Sequence, residues 1–247
     1  MNKFNIENQE IISGSSRLTS NNKKFDRIHF ATDHMDQNLA YKNYLKKNNF
    51  KDEDNSILKR FKESFMDYRK NWNEIPKRNY DFDTYDYNDP SLELLGPLCV
   101  DIEIASICDL ACPHFFREYI LTPDKIMNFE QYKKIIKQIY DLNVPSIKLN
   151  WRGEPLLNSK IDKYIEYAKS KGILEVSINT NATHLSLEMS KRLIKSGLDL
   201  IIYSFDGGTK KTYEKMRPGR FEKNKFEEVY KNIKNFASLK KESNSFF

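Results

Sequence analysis

The chain has 247 residues and a formal charge of +6, and 39% of it is hydrophobic. That length allows one or two domains, and no apolar run approaches the roughly 18 residues that a membrane span needs. The lysines are spread along helical faces such as EQYKKIIKQIY and EEVYKNIKNF, which reads as solvated surface and not as a nucleic-acid footprint.

The first residues, MNKFNIENQEIIS, lack the basic-then-apolar order of a secretory signal. With only Cys99, Cys108 and Cys112 in the chain, a disulfide scaffold is not expected and a reducing cytoplasm is. Residues 1–55 are rich in Asn, Lys, Asp and Ser without sustained periodicity and are expected to be a polar, flexible arm. Ile57, Phe61, Phe65, Tyr68 and Trp72 then recur three or four apart, which predicts one amphipathic helix that Pro76 closes. Residues 56–96 are thus a helix followed by a Tyr/Asp-rich connector. The aromatic face of that helix is expected to pack on the sheet.

From residue 97 the sequence alternates. Strands are predicted at 98–107, 146–151, 174–180 and 198–205. The helices between them carry Phe129 to Ile139, Ile161 to Ala168 and Met189 to Ile194, and a last one carries Phe226 to Phe236. Ser186 is a candidate cap, and Gly172 and Gly197 are candidate stops. Strands alternating with helices mean βαβ units and a parallel sheet.

Three of the four strands alternate apolar with polar residues. Val100, Ile102 and Ile104 flank Asp101 and Glu103; Ile147, Leu149 and Trp151 flank Lys148, Asn150 and Arg152; Leu174, Val176 and Ile178 flank Glu175, Ser177 and Asn179. One sheet face therefore packs on helices, and the other is polar with both signs of charge. Asp101 and Glu103 either pair with Lys148 and Arg152 across that face or contact a ligand there.

Each strand runs into a polar loop, where α/β folds place their chemistry. The first leads to Cys108-Asp-Leu-Ala-Cys112-Pro-His114-Phe115, the second to Trp151-Arg-Gly-Glu-Pro155. The third ends in Asn179-Thr-Asn181, and the fourth in Ser204-Phe-Asp206-Gly-Gly208, followed by Arg217. Taken alone, Cys108 and Cys112 read as inert buried thiols in preference to metal ligands, and Cys99 reads as core. A structural zinc site would want four Cys or His ligands, and only His114 lies near.

In order, these loops resemble the radical SAM enzymes, over about residues 97–240. That resemblance implies a partial (β/α) barrel of parallel strands with outer helices, here incomplete at about four βα units, with 97–247 as the core. It also implies a 4Fe–4S cluster and S-adenosylmethionine as cofactors, an external electron donor, and a small-molecule or peptide substrate. Cys108 and Cys112 match the first two cluster ligands of C-x-x-x-C-x-x-C, and Phe115 stands at the third. His114 matches the aromatic position near the adenine. Arg152, Gly153 and Glu154 match the family's G-G-E-P segment, with Arg152 for the first glycine. Asn179 and Asn181 match the segment near the ribose, with Ala182 for glycine. Ser204, Asp206 and Arg217 match the last cofactor-binding segment. With two matching thiols, a labile cluster or none is expected. His114 and Asp109 are candidate stand-in ligands off the missing spacing. The last predicted strand is left as an edge, so a fragment, a truncated product and a subunit whose barrel a partner chain completes are all open expectations.

Overall fold

The computed structural model describes residues 19–20, 23–24, 55–80, 97–119 and 121–243. Thr19–Ser20 pairs antiparallel with Lys23–Lys24. Otherwise the expected arm lies outside the described residues, as does the connector from 81 to 96. Helix α1 is Asn55–Tyr80. The main sheet is β1 (Cys99–Asp101), β2 (Ser146–Lys148), β3 (Glu175–Thr180) and β4 (Leu200–Tyr203), all parallel and in sequence order. Between and after the strands come α2 (Phe129–Asp141), α3 (Ile161–Ser170), α4 (Leu187–Lys195), α5 (Lys210–Met216) and α6 (Phe226–Glu242).

Local chemistry sets the helix ends. Asn128 caps α2 through Glu130 N–H, Ser186 caps α4 through Met189 N–H, and Thr209 caps α5 through Thr212 N–H. Gly172 and Gly197 follow α3 and α4 with φ of 87° and 78°, a left-handed turn that glycine makes without penalty.

The register puts Val100, Ile147 and Val176 in one row across three strands. Ile102, Ile104, Ile147, Leu149, Val176 and Ile178 are buried against Tyr132, Ile136, Ile165 and Leu193 of the helices. Each such aliphatic side chain contributes about 1.5–3 kcal/mol on leaving water. The opposite face carries both expected ion pairs, Asp101–Lys148 at 2.8 Å and Glu103–Arg152 at 2.7 Å.

The structure corrects three expectations. Helix α1 runs through Pro76 to Tyr80; proline removes its own N–H from the ladder and strains the turn before it, but does not forbid helix beyond. The strands are shorter than their apolar runs. After Leu149 the Asn150 side chain, not the main chain, accepts the Asn179 N–H at 2.7 Å, so β2 leaves the ladder there. Trp151 consequently turns outward, 62% exposed, instead of joining the apolar face.

Helix α1 meets the sheet at the N-terminal ends of the strands. Phe65 and Tyr68 are buried, and Tyr68 donates its hydroxyl to Glu175 Oε1 at 3.3 Å. Its aromatic face packs as expected, while Met66 and Trp72 remain exposed.

Candidate active site

The four loops at the C-terminal ends of β1 to β4 are sewn together by their backbones. In the first, Leu110 pairs antiparallel with Gly219, Ala111 N–H donates to Pro218 O at 2.9 Å, and Arg220 N–H donates to Asp109 O at 2.8 Å. The cysteine loop is thus backed by the segment after α5. In the second, Glu154 N–H donates to Ile107 O at 2.8 Å. That approach requires glycine at 153, since a Cβ there would sit 2.0 Å from the Ala105 carbonyl oxygen. In the fourth, Ser204 N–H donates to Thr180 O at 2.8 Å and ties β4 to the third loop.

These loops enclose a cavity of about 180 Å³. Cys108, Cys112 and His114 line it from the first loop, with Phe115 beside them. Arg152, Gly153 and Glu154 line it from the second, Asn179 and Asn181 from the third, and Ser204 and Arg217 from the fourth. Asp206 stands outside the lining. Its Oδ2 meets His114 Nε2 at 3.2 Å and Arg217 Nη2 at 2.5 Å, so it holds two lining residues in place. Arg117, Asn150 and Thr180 also line the cavity without having been singled out as site residues. Asn150 lay on the predicted polar face, whereas Arg117 had no motif. It is buried, donates Nε to Ser106 O at 2.8 Å and pairs with Asp124.

Burial pushes the Cys108 thiol up to about 12, and the charges of Glu154 and Asp109 add to that, against the Leu110 N–H. Burial also raises Cys112, opposed by Arg217, whose Nη1 lies 3.8 Å from Cys112 Sγ. Arg217 does not outweigh that burial, so both stay thiols, and a coordinated metal reverses the preference.

Glu154 is wholly buried. Its Oε1 accepts from Leu156 N–H at 3.0 Å and Thr180 Oγ1 at 2.6 Å, and its Oε2 accepts from Asn181 N–H at 2.8 Å. Burial raises its carboxyl to about 7 despite these donors. Asp109 is raised by burial but held below the usual carboxylate range by His184, Thr183 and Asn181. Arg152 gives its guanidinium to Glu103 and Thr122 Oγ1 and lies over the Trp151 ring, its centre 4.5 Å from the ring centroid.

A parallel α/β core with a polar, two-thiol cavity at the C-terminal ends of its strands has the arrangement in which α/β enzymes place their chemistry. Residues 102–246 match the family model of the Radical SAM superfamily, and the chain belongs to that family. The relatives include proteins named "Probable GTP 3',8-cyclase". One, from Methanothermobacter marburgensis, is 35% identical over 112 residues, which are 45% of this chain and 36% of that protein. Another, from Pyrococcus horikoshii, is 30% identical over 138 residues, 56% of this chain and 42% of that protein. The chain therefore spans less than half the length of these relatives. The structure of native anSMEcpe with bound AdoMet superposes with a TM-score of 0.51 at 22% identity, over 58% of this chain and 42% of that one, and shares the fold.

The family uses a 4Fe–4S cluster and S-adenosylmethionine. The cavity wall fits a polar ligand. Asn179 Oδ1 and Arg217 Nε are buried in lining residues and have no hydrogen-bond partner among the described residues. Buried polar atoms without partners are costly, and a nucleoside with hydroxyls and a carboxylate supplies both kinds of partner. The donor set fits a cluster incompletely. Cys108 and Cys112 offer two thiols, whereas Phe115 presents carbon at the third position. His114 Nε2 is engaged by Asp206, and the Asp109 carboxylate by the third loop. Among the described residues no group of three or more His, Cys, Asp or Glu could hold a metal ion.

Proposed function

We propose that this chain is the core of a radical SAM-type enzyme, or descends from one, that binds S-adenosylmethionine in the cavity between its four strand-end loops. In such enzymes the reduced cluster supplies the electron that cleaves S-adenosylmethionine, and the resulting 5′-deoxyadenosyl radical abstracts hydrogen from a substrate. The convergence of all four family segments on one cavity, with Asn179 Oδ1 and Arg217 Nε unpartnered in its wall, carries the reading. Cys108 and Cys112 are the thiols offered to iron. Arg217 and Asn179 are offered to the ligand's polar groups, while His114 and Ser204 frame the same space. Residues 97–247 are the working core. An external electron donor and a small-molecule or peptide substrate are the partners this reading requires, and a chain pairing with the sheet edge at β4 is a further candidate. Three free thiols support a reducing cytoplasm as its setting.

One observation favours a second reading. With Phe115 at the third ligand position, the fold can serve as a nucleoside-binding domain without a cluster. Anaerobic reconstitution with iron and sulfide, iron counting and an assay for 5′-deoxyadenosine separate the two. The enzyme reading expects about four irons per chain and 5′-deoxyadenosine formation. If wild type holds no cluster while Phe115→Cys gains one, the second reading replaces it.

A further inference from the structure

Two carboxylates from different loops converge on Asn181. Its main-chain N–H donates to Glu154 Oε2 and its Nδ2 donates to Asp109 Oδ1, each at 2.8 Å. Each carboxylate takes a second donor from the same loop. Thr180 Oγ1 lies 2.6 Å from Glu154 Oε1, and Thr183 Oγ1 lies 2.7 Å from Asp109 Oδ2. Asn181 Oδ1 is itself occupied by the Thr183 N–H at 2.9 Å. His184 Nε2 approaches Asp109 from the same side, at 3.5 Å. Glu154 lines the cavity, yet three protein donors already occupy its carboxylate.

We infer that Asp109 and Glu154 are positioning residues that clamp the loop from Asn179 to His184 onto the cysteine loop and the Arg152–Pro155 turn. Glu154 acts on a bound ligand only through that clamp and does not take the ligand's amino group. A direct contact with an ammonium would have to compete with donors that fix the loop itself. Losing the Asp109 arm loosens the segment that carries both thiols, which its backbone bonds to Pro218 and Arg220 still anchor. Losing the Glu154 arm loosens the cavity wall for any ligand, whatever that ligand's own charge.

The two arms are tested separately. The metal-free protein is alkylated with iodoacetamide, and the rates at its three free cysteines are read by mass spectrometry. Cys99, at the start of β1 and far from the loop, is the internal reference. Thr183→Val removes a hydroxyl that lies 2.7 Å from both Asp109 Oδ2 and Asn181 Oδ1 but keeps the carboxylate charge beside Cys108, so a change reports loop release and not thiol ionisation. Alkylation of Cys108 and Cys112 is expected to rise about five- to tenfold relative to Cys99, and Thr183→Ser to restore the wild-type ratio. An unchanged ratio, or an equal rise at all three thiols, overturns the Asp109 arm.

The Glu154 arm rests on the proposed nucleoside site. Glu154→Gln is titrated with S-adenosylmethionine and with 5′-methylthioadenosine, which lacks the amino-acid portion. The clamp weakens both by the same factor, to within about twofold. A loss roughly tenfold larger for S-adenosylmethionine alone means that Glu154 touches the ammonium, and overturns this arm. A wild type that binds neither compound sinks the functional proposal, while the alkylation ratio still decides the clamp.

Discussion

The two ends of the sheet handle buried carboxylates in opposite ways. At the N-terminal end, Asp199 meets the Lys169 ammonium at 2.6 Å, and neither side chain is more than 7% exposed. Lys169 also donates to Leu174 O, and Asp199 Oδ2 accepts the Val176 N–H, so one ion pair fastens α3 to the starts of β3 and β4. At the C-terminal end, Glu154 is as deeply buried but forms no ion pair among the described residues; hydroxyl and amide dipoles hold it instead. Burial raises both carboxyls, but at the first a buried ammonium opposes the rise, and at the second only hydroxyl and amide dipoles do.

The sharpest way to break this contrast is at Lys169. Lys169→Met takes the ammonium away from the buried Asp199, and removing one partner of a buried pair costs about 3–5 kcal/mol. Chemical denaturation at neutral pH should show that loss, with Glu154→Gln much nearer wild type. If Lys169→Met is no more destabilising than Glu154→Gln, the ion pair does not distinguish the ends.

The next effect is a pH dependence at the other end. Burial raises the Glu154 carboxyl to about 7 from an ordinary value of 4.5. The folded state therefore holds a proton between those pH values that the unfolded chain has released. Stability contributed by this group is fully present below the unfolded value and is lost as pH rises towards 7. At about 1.4 kcal/mol per unit, the fall is roughly 3 kcal/mol. Asp199 acts with the same sign, because burial raises its carboxyl against the pull of Lys169. The difference between wild type and Glu154→Gln isolates Glu154. Denaturation curves from pH 4.5 to 7.5 should steepen the loss in wild type relative to the variant. Parallel profiles would show that Glu154 is ionised in the fold throughout that range.

The contrast also explains what the sequence disclosed. The βα alternation was legible because each core-facing set, such as Ile147 and Leu149 or Tyr132 and Ile136, follows a short local period. The site's outline was legible because its polar loops each follow a strand. The roles of Asp109 and Glu154 were not, because their partners lie far along the chain, with Asn181 27 residues from Glu154 and 72 from Asp109. Lys169 looked like one more lysine on an amphipathic helix; only the fold sets it opposite Asp199. Trp151 was misplaced because the Asn150 side chain replaces a ladder bond, an event no period encodes.

The smallest effect concerns where the backbone carries strain. At the N-terminal end, the left-handed positions before β2, β3 and β4 are Asn143, Gly172 and Gly197, residue types that accept positive φ. At the C-terminal end the position is Ala182, with φ of 61° and no exposed surface, where the related family segment carries glycine. Strain of that kind collects at functional sites. Gly172 has open space around an added Cβ, so Gly172→Ala measures the left-handed cost alone, a loss of about 1 kcal/mol. Ala182→Gly releases the same cost but gives up a buried methyl worth about 0.8 kcal/mol and gains freedom in the unfolded chain. These terms nearly cancel, so Ala182→Gly should stay within about 1 kcal/mol of wild type by denaturation. A loss beyond about 2 kcal/mol would mean that the methyl's packing, and not backbone strain, governs this loop, and the two ends would then differ in charge alone.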